Sequence, residues 1–446
     1  MQKPFSRSLA LLALAATLAA CGQAPGVAKL QSASAHKINP PGKDAPSFKA
    51  AAAKASPEEV VVATAAGVTL SGVGEELDQF TFGSRTYHLV DGQGKLQHLL
   101  AAFRGQGLKA DQNLRAFANG TPDPNPGNPG QPPAPPPADP GQPPAPPPAN
   151  PPGDPGQNVK PNDEFYFAQW GLQMGNIPNL WTLTRGKEDL IVAVIDTGID
   201  YTHPDLEKRV VLGPNYTFRK KWYEFGKKDP GPIDDNSHGS HVAGIIGATA
   251  DNRTGIAGVA PNVKLMAVKV LDAQGGGSNF GVMKGIAYAI THGAKIVNLS
   301  LGSAGASSVE REFFEAATDA GALIVAASGN EADGVGFPAA YPGVLSVGAI
   351  DSGKNLASFS NHDTSLGLVA PGVGIMSTIV GKQYAKFSGT SMAAPYVAGV
   401  AALVWSKHPA MSAEQLKGKL LATAERLGDP SLFGQGLVDA KRALTE

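Results

Sequence analysis

The chain has 446 residues, 42% of them hydrophobic and 17% charged, with a formal net charge of −1. That length admits one large domain with additional segments. The near-neutral balance gives no hint of nucleic-acid binding, and no nucleic-acid partner is expected. No internal stretch reaches the roughly 18 apolar residues of a membrane span.

At the N-terminus Lys3 and Arg7 precede a short apolar run over residues 8–20. A basic start and a short apolar core read as an export signal over residues 1–20, so the protein is expected to be exported or held at the cell envelope. The single cysteine, Cys21, follows Leu18-Ala19-Ala20. This resembles the bacterial lipoprotein box, in which the cysteine is acylated after cleavage in front of it; an ordinary signal peptide cut nearby is the alternative. Membrane contact is expected only through a lipid anchor on Cys21. One cysteine permits no internal disulfide, so stability must come from packing and bound ions. Residues 21–58 are rich in Ala, Lys, Ser and Pro without a sustained period and read as a flexible tether.

Residues 59–118 read as a small α/β module. Glu59–Thr64 and Thr86–Val90 suit strands. Leu96, Leu99, Leu100 and Phe103 fall on one face of a helix, and Leu108 to Ala118 reads as a last strand. Roughly 60 residues make a marginal core if left alone. Residues 119–158 form a linker, and 121–156 hold 18 of the chain's 37 prolines, with Gly-Gln-Pro-Pro-Ala-Pro-Pro-Pro-Ala at 130–138 and again at 141–149. Such a segment cannot build a ladder; at about 3.1 Å per residue it extends on the order of 100 Å. A ligand for a proline-recognition domain is the alternative reading.

From residue 159 to 446 the texture is that of one large domain. Leu190–Ile195, Lys264–Val270, Lys295–Leu299, Ala322–Ala327 and Val344–Ala349 read as buried strands. His241–Ala250, Phe280–His292 and Val309–Ala320 read as helices between them. Such alternation implies a mostly parallel sheet covered on both faces, with right-handed crossovers.

Three stretches carry chemistry. Asp196 ends the apolar run Ile191–Ile195, and the carboxyl end of a parallel strand is where such sheets keep their sites. Ser237-His238-Gly239-Ser240-His241 follows, without the further ligands that a zinc reading of the two histidines requires. Gly389-Thr390-Ser391-Met392-Ala393-Ala394-Pro395 puts a serine at the mouth of an apolar helix, where the dipole and unpaired N–H groups favour negative charge. Each has a plainer reading alone: a turn aspartate, a core histidine, an N-cap. Together, in the order Asp…His…Ser, they supply an orienting group, a base and a nucleophile.

Order and surroundings closely resemble those of the subtilisin-like serine peptidases, over a span from about Asn162 to the C-terminus. The resemblance implies a three-layer α/β fold with a mostly parallel central sheet, and a serine endopeptidase acting on protein or peptide substrates through an acyl-enzyme. It makes Ser391 the nucleophile, His238 the base and Asp196 its orienting group. Asn330 becomes the oxyanion-hole amide. Ser300, Leu301 and Gly302 become the edge that receives substrate backbone, and Gly336 a wall of the specificity pocket, leaving room for a large apolar P1 residue. The module 59–118 is implied to be a propeptide, chaperone and intramolecular inhibitor of a zymogen. Asp163, Asp205 and Asn252 resemble a strong calcium site of thermitase-like members, implying a structural Ca²⁺.

The chain departs from the family pattern at Ser240 and Ser328, where threonine and alanine are usual, and in the long basic loop 218–228 between Asp196 and His238. That loop reads as a solvated surface segment or as a contact for substrate. The proline-rich spacer between propeptide and enzyme is also unusual. A narrow-specificity processing peptidase and a catalytically silent surface binding module are the two alternative functions.

Overall fold

The computed structural model describes residues 58–68, 70, 75–118, 121–122, 159–217, 228–303 and 305–446. The export signal, Cys21, the tether before residue 58, the spacer from 123 to 158 and the loop 218–227 lie outside the described residues.

A seven-stranded sheet forms the middle layer. Its strands are β7 (Ile191–Asp196), β8 (Val210–Asn215), β9 (Lys264–Lys269), β11 (Ala294–Leu299), β13 (Leu323–Ala327), β14 (Leu345–Ile350) and β15 (Leu368–Pro371), in the order β15-β14-β13-β11-β7-β9-β8. Every neighbouring pair is parallel. Burial on both faces explains why the central strands are continuous apolar runs. The flanking helices are α2 (His238–Gly247), α3 (Asn279–Thr291), α4 (Ser308–Asp319), α5 (Thr390–Lys407) and α6 (Ala413–Ala422); α1 (Leu96–Gly105) belongs to the N-terminal module. This is the expected three-layer α/β architecture.

Helix α5 is buried along its whole length except Lys407 and lies against β11, β13, β14, β15 and α2. Its residues are small where it must approach closely. A Cβ placed on Gly399 would stand 2.6 Å from Cβ of Val259. Val397, Val400 and Leu403, all fully buried, contribute about 1.5–3 kcal/mol each to holding it there.

The N-terminal module is a four-stranded antiparallel sheet, β2 (Glu75–Phe82), β3 (Arg85–Asp91), β1 (Glu59–Ala65) and β4 (Lys109–Gln112), in that spatial order, with α1 on one face. The other face docks on α3 and α4. Phe80 meets Phe280 at 5.3 Å between ring centroids, and Tyr87 meets Phe313 at 5.5 Å. Lys284 pairs with Asp78 at 2.6 Å, and Glu312 pairs with Lys109 at 2.6 Å and with Arg85. Asp111 accepts from Ser307 Oγ, Ser308 Oγ and Val309 N at 2.8–3.0 Å, satisfying the open end of α4. Asn113 Oδ1 does the same for Phe280 N in α3 at 3.0 Å. The marginal core of the module is thus completed by the larger domain.

Several elements differ from the sequence reading. Leu108 to Ala118 is not one strand but two, β4 and β5 (Arg115–Ala118). Asn113 breaks the run: its amide donates to Glu59 Oε2 at 2.8 Å while its carbonyl caps α3. Strand β2 was not expected, because a bulge between Glu76 and Asp78 disrupts its alternation. Strand β8 carries Gly213 and Pro214, tolerated because it is an edge. Helix α2 starts three residues before the expected His241. Ser237, held at φ 97°, turns the chain into it, and Asp234 accepts from Ser237 N at 3.0 Å and Ser240 N at 2.9 Å. Among the described residues no helix is long and apolar enough to cross a membrane.

Candidate active site

Asp196, His238 and Ser391 are each nearly or fully buried. Asp196 ends β7, and its backbone carbonyl accepts from Val270 N and Leu271 N at 2.9 and 3.1 Å. Its carboxylate meets His238 Nδ1 at 2.8 and 3.0 Å, so Nδ1 carries the proton and donates. The loop after β7 and the start of α2 are tied by Asp234. It accepts from Thr197 Oγ1 at 2.8 Å and from Ser240 Oγ at 2.6 Å. Thr197 Oγ1 in turn accepts from Gly239 N at 2.9 Å. Lys269, the register partner of Asp196, donates to the carbonyls of Thr197 and Leu271 and to Asp235.

Burial by itself would lower the His238 pKa. The charge of Asp196, its hydrogen bond and the charge of Asp234 outweigh that, leaving it above the ordinary 6.5. Among the described residues, His238 Nε2 has no hydrogen-bond partner. His241 behaves differently: its ring stacks on Phe387 at 4.3 Å, Nε2 meets the Ala385 carbonyl at 3.1 Å, and burial together with His238 pushes its pKa down to about 3. It is a neutral core histidine.

Ser391 lies in the first turn of α5 and is cross-tied to Ser300. Its Oγ donates to the Ser300 carbonyl at 3.0 Å, while Ser300 Oγ donates to the Ser391 carbonyl at 2.9 Å. Pro395 explains the second bond. It has no N–H to give the carbonyl four residues back, so Ser300 satisfies that acceptor instead. Asn330 Oδ1 accepts from Thr390 N at 2.8 Å and Thr390 Oγ1 at 3.0 Å. A backbone N–H can only donate, so the oxygen of the Asn330 amide faces Thr390 and its NH₂ remains for another acceptor.

Leu301, Gly302 and Ser303 form β12, and Gly276–Ser278 form β10. The chain's own β5 runs antiparallel between them, with Leu301 opposite Ala118, Gly302 opposite Phe117 and Ser303 opposite Ala116. Beyond it, β6 (Thr121–Pro122) pairs with β17 (Gln383–Ser388), which forms a hairpin with β16 (Ile375–Ile379). Gly302, Ala327, Gly329, Val335, Gly336 and Phe337 line a cavity of about 240 Å³ that also carries Glu331 and Asp333. Sequence reasoning expected Gly336 there but not the two carboxylates. It also missed Asp234 and Thr390, although both stand within four residues of a residue it named.

Asp163, Asp205 and Asn252 come together around the loop 251–256. Asp163 accepts from Asp251 N at 3.0 Å and Asn252 N at 3.4 Å. Asp205 accepts from Asn252 Nδ2 at 2.6 Å, Ile256 N at 3.0 Å and Tyr384 Oη at 2.9 Å. Burial raises both carboxyl pKa values, and the charges of Asp251 and Asp205 add to the rise at Asp163.

The sequence profile of the subtilase family matches residues 187–436, more than half of the chain. The chain belongs to the subtilase family. This subtilase is 42% identical over 288 residues to the thermophilic serine proteinase of Bacillus sp. (strain AK1), covering 64% of its own length and 69% of the relative. It is 46% identical over 289 residues to the thermostable alkaline protease of Halalkalibacterium halodurans, covering 64% and 76%. Subtilisin Savinase of Lederbergia lenta is 42% identical over 275 residues, 61% of this chain and 97% of that one. The subtilase is a serine endopeptidase, and its substrates are proteins.

Proposed function

We propose that this subtilase is made as a self-inhibited precursor and cuts protein chains through an acyl-enzyme on Ser391. The observation that carries the reading is the buried contact between Asp196 and His238, which leaves Nε2 as an acceptor without a partner among the described residues. In this scheme Nε2 takes the Ser391 proton as Oγ attacks the scissile carbonyl, then returns it to the leaving amine. Asp196 fixes the tautomer and balances the imidazolium. The Asn330 NH₂ and the Ser391 N–H donate to the oxyanion, a role supported by Thr390 engaging the other end of the Asn330 amide.

Substrate backbone adds along Ser300, Leu301 and Gly302, a reading supported by β5, which pairs with Leu301, Gly302 and Ser303 of β12. The glycine-walled cavity takes a large apolar P1 side chain, and Glu331 and Asp333 give a basic tip a partner. The module 59–118 is the inhibitor. Its supports are β5 in the substrate cleft and the caps that Asp111 and Asn113 place on two helices of the enzyme. Export, with an anchor on Cys21, rests on the N-terminal sequence.

A test combines labelling with a pH profile on the processed enzyme. A fluorophosphonate is expected to modify Ser391 alone and abolish activity. Because His238 must be neutral to accept a proton and its pKa is raised, kcat/KM is expected to fall on acidification with a midpoint above 6.5. Labelling at another residue, or full activity below pH 6, sinks the scheme.

Asp163, Asp205 and Asn252 suit a calcium ion: two carboxylates and an amide from three distant segments, both carboxyls raised by burial and so eased by a bound cation. The ion would be structural and take no part in the chemistry. A group whose folded pKa is raised costs stability once it ionises, so without the ion the site is worst above both raised values. Chelator is expected to lower Tm, and by less as the pH falls toward those values. A Tm indifferent to chelator at pH 8 removes the proposal.

A further inference from the structure

Glu310 is a buried carboxyl that the chemistry above does not use. It lies in the first turn of α4, 5% exposed, and Tyr341 Oη donates to its Oε2 at 2.7 Å. The Asn279 side chain bonds it as well. Asn279 Nδ2 also donates to Ser303 Oγ, at the end of β12, at 2.8 Å. Both partners of Glu310 are neutral, and among the described residues no cation pairs with it. Burial, with the charge of Asp111 adding to it, pushes the Glu310 pKa up to about 7. A carboxyl held out of water is costly to ionise, and a basic group brought against it relieves that cost.

Residues 111–116 of the N-terminal module pass over this cluster. Asp111 bonds Ser307, Ser308 and Val309, the Leu114 carbonyl accepts from Asn279 N at 2.9 Å, and Ala116 pairs opposite Ser303. Ala116 is 1% exposed and packs in the core, so its methyl group is turned into the protein. A substrate that adds to β12 in the same register puts a side chain in that place. The residue opposite Ser300, whose carbonyl bonds Ser391 Oγ, is then the last before the cut, and the residue opposite Ser303 is the fourth before it.

Resting on the peptidase reading above, we propose that Glu310 sets specificity at this fourth position, where the enzyme favours lysine or arginine with its cation paired to the Glu310 carboxylate. The alanine that the module presents there stops at its first side-chain carbon and leaves the acid without a cation. A lysine or arginine chain reaches further and brings one. The preference adds to that of the glycine-walled cavity, so the favoured substrates carry a basic residue three positions before a large apolar one.

Peptides with Phe before the cut, and Lys, Arg, norleucine or Ala at the fourth position, test this on processed enzyme at pH 8. Lys and Arg are expected to raise kcat/KM about tenfold or more over both norleucine and Ala, mainly through KM, since the pair already forms on binding. Norleucine has the carbon chain of lysine without its charge, so this comparison needs no variant. Glu310→Gln keeps an acceptor oxygen for Tyr341 and Asn279 but loses the charge, and in it the ratio of Lys to norleucine should fall to about one. Glu312→Gln, on the same helix, should leave that ratio as it is. A ratio near one in the wild type, a ratio that survives Glu310→Gln, or an equal fall in Glu312→Gln overturns the proposal. Enzyme that cuts these peptides without the basic preference is still a peptidase, and only the assignment of Glu310 is lost. Enzyme that cuts neither the peptides nor casein has lost the peptidase reading, and this one with it.

Discussion

Ser391→Ala is expected to give a folded precursor that never matures. Its kcat on casein or on a peptide with Phe or Leu at P1 should fall by roughly 10⁶-fold, the size known from subtilisin itself and not one derived from this geometry. Folding should survive, because the substitution removes one hydroxyl whose bond to the Ser300 carbonyl contributes about 0.5–1.5 kcal/mol. The remaining bond, from Ser300 Oγ to the Ser391 backbone carbonyl, is untouched. Two readouts check the result: turnover by enzyme freed of its N-terminal module, and the intact mass of the expressed chain. Residual activity within a hundredfold of wild type would mean that another residue is the nucleophile.

Asp196→Asn is the second large expectation. The carboxylate accepts from His238 Nδ1–H and from Thr197 N at 2.7 Å. Thr197 N and His238 Nδ1 both reach Oδ1, and Oδ2 lies 3.0 Å from the same Nδ1, so an amide that keeps its oxygen on Thr197 N sets its NH₂ against His238. Turned toward His238, that NH₂ forces Nδ1 to become the acceptor and puts the ring proton on Nε2. A base whose acceptor position already holds a proton cannot take one from serine. The loss in kcat is on the order of 10⁴, the size known for the same change in serine peptidases of another fold. KM should move little, since Asp196 is buried and its carboxylate bonds His238 and Thr197 rather than β10 or β12. A loss below tenfold, or a loss confined to KM, would show that Asp196 does not set the tautomer.

The parts of the fold legible in the sequence were those where an apolar run stops at a residue unlike it. Ile191–Ile195 followed by Asp196 announces both a buried strand and its functional end. The apolar sequence after Ser391 announces a buried helix and the hydroxyl at its mouth. Strand β2 was illegible because its bulge breaks the period of two and because Phe80 and Phe82 find partners on helices two hundred residues away. The division of Leu108–Ala118 into β4 and β5 depends on Asn113 reaching both Glu59 and Phe280, which no local pattern encodes. Asp234 and Thr390 were passed over for a related reason. Each acts by holding a residue that the sequence did single out, and such work is visible only once the chain is folded.

Pro395 has a mechanical consequence. In an unbroken helix the first turn is fastened to the turn above it, so loosening one residue frays the whole end. Here the carbonyl of Ser391 is released from that ladder and fastened sideways to Ser300, next to the strand on which β5 docks. Ser391 is therefore coupled to Ser300 and β12 more directly than to its own helix. A change of backbone position at Ser300 can reorient Ser391 while the remaining turns of α5, locked in the core, stay still.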